Sequence, residues 1–240
     1  DSNPNLSNRT GLEDQSGGPG IYKWRAGDDP RRCWFSEWDT MFPNQLCRAP
    51  KWSATGTTSY VYLGCAHPYN GALHTYVGAK TGGSYVVEVN NSSSSFSAWT
   101  TRRTLNGAPT SMVEYTPTTG ADAGYNMLFV ATGGDIDRTI DGVTVIPSDG
   151  VNAWVRDTTD AKFLEVWDSR LWRITAAGTF GYTTNGGITW TAAGTLPNTD
   201  GTYTYVTSLF VGPDQSGDPA IYATRNDSLW RYDAGAAAAW

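Results

Sequence analysis

The sequence predicts an all-β chain of short strands grouped into repeated four-stranded units, and three observations support this. Strand-favouring aromatics are abundant, with 11 Trp, 13 Tyr and 7 Phe, and they are interleaved with 27 Gly and 12 Pro among 240 residues. No stretch carries the apolar repeat of an amphipathic helix. Apolar and bulky polar side chains alternate instead in short runs that end at glycine turns, as half-buried strands do. A chain of this length supports a sizeable core, and all-β chains of this size commonly form one domain.

Two recurring landmarks organise the strands. The run Ile21-Tyr22-Lys23-Trp24-Arg25-Ala26-Gly27 matches Leu229-Trp230-Arg231-Tyr232-Asp233-Ala234-Gly235 in chemical type, and Leu171-Trp172-Arg173-Ile174 reads as a third copy. The second landmark is a tryptophan near the end of each unit. Trp99-Thr100 precedes Thr104-Leu105 with the same internal spacing by which Trp190-Thr191 precedes Thr195-Leu196, and Trp154 and Trp240 fall at related places. The intervals vary around the length of a four-stranded blade, so the landmarks predict a β-propeller with loop insertions.

Taken in order, residues 1–20 are rich in Asn, Ser, Gly and Pro and predict a flexible N-terminal arm, with the propeller domain over residues 21–240. Strands at Ile21 to Arg25 and Cys33 to Trp38 form the outer half of one blade. A full blade runs from Ser59 to Trp99, with strands near Tyr60 to Cys65, Leu73 to Ala79, Tyr85 to Val89 and Phe96 to Thr100. The next spans Ser111 to Trp154 and includes Met112 to Tyr115 and Met127 to Ala131. The third has strands at Phe163 to Trp167, Leu171 to Thr175, Thr179 to Thr183 and Ile188 to Ala192. The last comprises Val206 to Val211, Ala220 to Thr224, Leu229 to Tyr232 and the last residues. About five blades are thus visible, as a complete ring or as part of a larger one. Either the inner strands of the first unit come from a stretch such as Asn44 to Trp52, or the chain continues past Trp240, which the weak strand-forming alanines of Gly235 to Trp240 favour.

Charge excludes some functions. The net charge is −6 and no Lys/Arg run relieves it, which argues against a nucleic-acid partner. The apolar runs are far shorter than the roughly 20 residues of a membrane span, and the start has no signal-peptide pattern, so membrane insertion is not expected. Cys33, Cys47 and Cys65 have neither the spacing of a zinc or redox site nor that of a disulfide framework, and each reads as a buried small side chain; the redox compartment stays open.

One motif is well formed. Thr183-Thr184-Asn185-Gly186-Gly187-Ile188-Thr189-Trp190 resembles the Asp-box, or BNR repeat, with Thr183, Asn185, Gly187, Thr189 and Trp190 at its constrained positions. The Asn185 side-chain oxygen suits turn amides, Gly187 suits positive φ, and Trp190 covers the hairpin. Weaker echoes end at Trp99 and Trp154. Asp-box propellers include sialidases, other glycosidases, receptors and phage virion proteins, so the resemblance implies a fold of the sialidase-like or phage virion type and leaves the chemistry open.

Catalytic patterns are sparse. Arg173-Ile174-Thr175 only partly echoes the Arg-Ile-Pro motif of sialidases. Glu88, Glu114, Asp135, Asp137 and Glu165 are candidate carboxylates for glycoside hydrolysis, but no spacing selects a pair, and each reads as a solvated strand-edge or turn residue. Asp135, Asp137 and Asp141 in a predicted turn are weak candidates for calcium. His67 and His74 flank Pro68-Tyr69-Asn70-Gly71 and read as polar loop histidines. No cofactor is implied. Trp24, Trp34, Trp38 and Trp52 crowd the N-terminal quarter and are the candidate binding residues, since Trp stacks on sugars and anchors protein contacts.

These features lead to the expectation of a non-enzymatic structural or adhesive module at a virion surface or in the extracellular space, as in a bacteriophage tail, collar or decoration protein. Its partners would be other structural proteins or a cell-surface glycan. The alternative is a secreted glycan-active enzyme or lectin, for which the sequons at Asn5, Asn8, Asn90, Asn91 and Asn226 would accept glycans in a eukaryotic source.

Overall fold

The computed structural model describes residues 60–90, 99–198, 205–225 and 228–232. Their strands form four antiparallel sheets. The first contains β1 (Tyr60–Tyr69), β2 (Ala72–Thr81), β3 (Ser84–Asn90) and β4 (Trp99–Thr104); the second contains β5 (Ser111–Tyr115), β6 (Met127–Ala131), β7 (Ile136–Thr139) and β8 (Trp154–Asp157). The third contains β9 (Phe163–Trp167), β10 (Arg170–Ile174), β11 (Thr179–Thr183) and β12 (Thr191–Thr195), and β13 (Val206–Pro213), β14 (Pro219–Arg225) and β15 (Ser228–Arg231) make up the fourth. Strands follow sequence order within every sheet, and the first strands β1, β5, β9 and β13 neighbour one another in turn. Consecutive meander sheets with adjacent first strands are the blade arrangement of a β-propeller.

Short turns build the meanders. Asn70 and Gly71 both have positive φ, 48° and 80°, and join β1 to β2 as the two-residue turn whose twist matches a hairpin. Asp168 and Ser169 do the same between β9 and β10 at φ of 50° and 57°, without a glycine to relieve the steric cost. Ser169→Gly is therefore expected to raise stability by about 1 kcal/mol, read as a higher urea midpoint at unchanged slope.

A core lies between each pair of neighbouring sheets. Tyr76, Val87 and Val89 of the first sheet meet Leu128, Val130 and Trp154 of the second. Met127, Phe129 and Ala131 on the opposite side of β6 meet Leu164 and Leu171 of the third. The run Met127–Ala131 is continuously apolar because both of its faces are buried. Trp172, Ile174 and Phe180 then meet Val206, Leu209, Ile221 and Ala223 of the fourth sheet. Inner strands are also tied through side chains, as where Ser111 Oγ donates to Leu164 O and accepts from Leu164 N, both at 3.1 Å.

Several expectations are corrected. Trp154 opens the fourth strand of its sheet and Trp190 immediately precedes β12, so in these two sheets the tryptophan marks where the outer strand begins, and Trp99 is the first described residue of β4. The outer strand predicted at Ile188 to Ala192 therefore runs later, over Thr191–Thr195, and that predicted at Phe96 to Thr100 extends on to Thr104, its residues 96–98 lying outside the described residues. The other landmark is not one position of a repeat: Leu171 to Ile174 fall in the second strand of their sheet and Leu229 to Arg231 in the third. Asp137 lies within β7, not in a turn. His67 and His74 are strand residues and cross-strand partners, because the Asn70-Gly71 turn is so tight that pairing continues to its edge. Asn90 is 3% exposed, too buried to accept a glycan. The strands predicted at Ile21 to Arg25 and Cys33 to Trp38 lie outside the described residues.

Candidate functional site

Several described polar side chains bridge neighbouring sheets. At the first junction Asp137, whose side chain is 0% exposed, sits between two arginines. Arg103 Nε of β4 donates to its Oδ1 at 2.6 Å, and Arg156 Nε of β8 donates to both oxygens at 3.2 Å. The Arg156 guanidinium also donates to Asn106 Oδ1 at 2.6 Å and Thr104 O at 2.7 Å, while Asn106 Nδ2 donates to Asp135. The outer strand of one sheet is thereby clamped to the next.

Closer to the inner strands, His67 of β1 is fully buried, with Nδ1 2.5 Å from Glu114 Oε1 of β5 and Nε2 2.6 Å from Ile140 O. The hydrogen bond from His67 holds the Glu114 carboxyl below its ordinary range, outweighing the upward pull of burial. Cys65, on the same strand, has its thiol pushed up to about 12, first by burial and then by the Glu114 charge. A thiol so rarely ionised at neutral pH is a poor nucleophile.

The hairpin from Thr183 to Trp190 builds the second junction. Thr183 Oγ1 accepts from the amides of Asn185 at 3.2 Å and Gly187 at 3.1 Å and donates to Asn185 Oδ1 at 2.8 Å. Asn185 Oδ1 also accepts from Thr189 N at 3.0 Å, and Gly187 has a φ of 88°. The turn is locked to the second sheet from below. Buried Arg138 of β7 donates to Gly186 O, Arg138 Nη2 donates to Ser148 Oγ at 3.3 Å, and Ser148 Oγ donates to Asp122 at 2.6 Å. Trp190 Nε1 donates to Asp157 at 3.3 Å, and the Arg173 guanidinium lies 4.8 Å from the Trp190 ring centroid. Arg173 is thus engaged with the hairpin, which accounts for it without a sialidase motif. Thr183→Val keeps the shape but removes the oxygen serving two amides; it is expected to cost about 1–3 kcal/mol by urea denaturation, whereas Asn185→Asp, which keeps the accepting oxygen, should cost much less.

The remaining candidates are dispersed. Glu88 is 2% exposed and accepts from Thr81 and Thr101 at 3.4 Å each, so it and Asp137 are buried structural groups, not solvated ones. Asp141 caps its own turn through the amides of Val143 and Thr144 at 3.0 and 2.6 Å. Asp135 and Asp137 both pair with Arg156, at 3.8 and 3.2 Å, while Asp141 serves its own turn, and among the described residues no group of three or more His, Cys, Asp or Glu side chains is arranged to hold a metal ion. Glu114 and Glu165 stand on adjacent inner strands but face opposite ways: Glu114 meets the first sheet, whereas Leu164 and Val166, flanking Glu165, pack toward the second. Burial pushes the Glu165 carboxyl upward, and it accepts from Val166 N at 3.0 Å. Trp24, Trp34, Trp38 and Trp52 lie outside the described residues.

Sequence reasoning misread His67 as a loop histidine and missed Arg138, Asp122 and Asp157. For His67 a local signal existed, since Asn-Gly is a strong hairpin mark and Cys65, His67 and Tyr69 alternate onto one face of the incoming strand. The other three are positioned by partners distant in sequence.

No protein-family model matches the chain, and no curated protein does. Among solved structures, that of BBS1N in complex with ARL6DN is similar at 10% identity and a TM-score of 0.45, over 73% of this chain and 52% of that one. The chain therefore spans about half the length of the solved chain it matches.

Proposed function

We propose that the chain is a non-enzymatic structural or adhesive propeller module of a virion surface, of the bacteriophage tail, collar or decoration type, contacting other structural proteins or a cell-surface glycan. One observation carries this reading: the buried ionisable groups, Asp137, His67, Arg138 and Glu88, are spent on joining strands and sheets, which is what a scaffold requires and what an acid/base centre does not. The hairpin at Thr183 to Trp190 supports an Asp-box assignment, since its threonine and asparagine oxygens serve the turn amides as that motif's do. Trp24, Trp34, Trp38 and Trp52 are the proposed contact residues.

A specific feature favours the alternative of a glycan-active enzyme. Glu165 is a partly buried carboxylate on an inner strand with a raised pKa, the property of a general acid. Incubating the purified protein with a panel of labelled glycans separates the two readings. Saturable binding without turnover, or no glycan binding together with recovery of the protein from purified particles, supports the module. Turnover that Glu165→Gln abolishes would replace it with the enzyme.

A further inference from the structure

The His67 and Glu114 pair has a property that structural packing alone does not require. A carbonyl oxygen only accepts, so the 2.6 Å contact with Ile140 O places a hydrogen on Nε2. The other ring nitrogen faces Glu114 Oε1 at 2.5 Å, and that contact needs one proton between the two atoms. Because the hydrogen bond from His67 holds the Glu114 carboxyl low, Glu114 is the accepting carboxylate in that contact and the ring nitrogen is the donor. Adding a second proton leaves an imidazolium buried without its counter-charge, which is costly because His67 is 0% exposed. Glu114 is 39% exposed, so solvent protons reach the pair.

What the pair holds is the tip of the β1 to β2 hairpin. Nearby, Asn70 N donates to Asp141 O at 3.2 Å, and a Cβ on Gly142 would lie 2.8 Å from the Tyr69 ring, so hairpin and loop are in close contact. The titratable and charged groups around the pair are Cys65 and Tyr69 on β1, His74 and Tyr76 on β2, Arg102 on β4 and Asp141 after β7. Tyr76 meets His67 edge to face at 5.4 Å and donates to Pro68 O, His74 donates to Asn90 O, and Arg102 lies over the Tyr69 ring. Hydrogen bonds from Thr144 and Val143 hold the Asp141 carboxyl low against the upward pull of its burial.

We propose that His67 and Glu114 form an acid-releasable latch, which pins the β1 to β2 hairpin to the second sheet at neutral pH and frees it when Glu114 takes up a proton. The direction follows from linkage. A carboxyl held below its ordinary value stabilises the folded state above its unfolded pKa, about 4.3, and that stabilisation is lost as pH falls through the lower folded value. Release therefore belongs to the strongly acidic range.

Cys65 is a built-in reporter, since it lies on the same face of β1 as His67 and its thiol is shielded. The full chain is pulse-labelled with dithiodipyridine, which reacts with thiols in acid, from about pH 7 to about pH 3. Peptide mass spectrometry scores Cys65 apart from Cys33 and Cys47, and tryptophan fluorescence reports global unfolding. Cys65 is expected to be protected at neutral pH and labelled in acid before the fluorescence changes. Glu114→Gln, which cannot carry the charge, should label at neutral pH roughly tenfold faster or more. His67→Phe should remove the separate acid step. Labelling that tracks global unfolding at every pH, or Glu114→Gln labelling at the wild-type rate, would overturn the latch. If His67→Phe does not fold, the Glu114→Gln comparison decides alone.

Discussion

Replacing Asp137 with alanine is expected to cost about 3–5 kcal/mol of folding stability, because it leaves two arginines facing each other at a junction without their shared counter-charge. Arg103 and Arg156 come from β4 and β8, with side chains only 25% and 24% exposed, so neither reaches water freely. Urea denaturation followed by tryptophan fluorescence measures the loss. Asp137→Asn should cost nearly as much, since the amide keeps the shape but not the charge. The triple change of Asp137→Leu, Arg103→Met and Arg156→Met should recover most of the stability, because it removes charge and counter-charge together. A single substitution costing under about 1 kcal/mol would mean that the clamp is a surface ion pair of little weight.

The second large effect is expected at Trp172, the centre of the core between the third and fourth sheets. Its side chain is fully buried and its ring lies 4.7 Å from Phe180, 4.9 Å from Tyr182 and 5.3 Å from Tyr232. Trp172 Nε1 donates to Trp167 O at 2.9 Å, so the indole is satisfied as well as packed. Trp172→Ala should cost about 3–5 kcal/mol through the cavity it leaves, and lower Tm by roughly 10 °C for a chain of this size. Trp172→Phe, which keeps a ring against Phe180, should cost clearly less. Equal losses for the two variants would show that the indole hydrogen bond, rather than ring packing, holds the site.

The parts of this fold that were legible in the sequence are those set by local rules. Met127–Ala131 announced a strand by its apolar run, and the spacing of Trp99 and Trp190 to their following Thr-Leu pairs marked equivalent outer strands without fixing their bounds. The Thr183 to Trp190 hairpin was readable because the bonds among Thr183, Asn185, Gly187 and Thr189 that shape its turn close within a few residues. What could not be read are contacts between sheets. His67 meets partners 47 and 73 residues away, and Asp137 meets arginines 34 and 19 residues away. No local pattern records which arginine will reach which carboxylate, so a buried, doubly paired Asp137 looked the same in sequence as a turn aspartate. The similarity between Leu171 to Ile174 and Leu229 to Arg231 misled for the opposite reason, since alternating apolar and basic residues suit any strand with one buried face.

These junctions also bear on function. A scaffold needs its ionisable groups committed to joining sheets, whereas a catalyst needs some held in reserve near one another. Imaging the purified protein by cryo-EM in its native assembly, at side-chain resolution, tests this most directly. For the proposed virion module, consecutive meander sheets with Asp137 clamped between Arg103 and Arg156 are expected in a symmetric particle where the protein contacts neighbouring structural proteins. A free protein without such neighbours, with Glu165 opening into a pocket beside a second carboxylate, would contradict it.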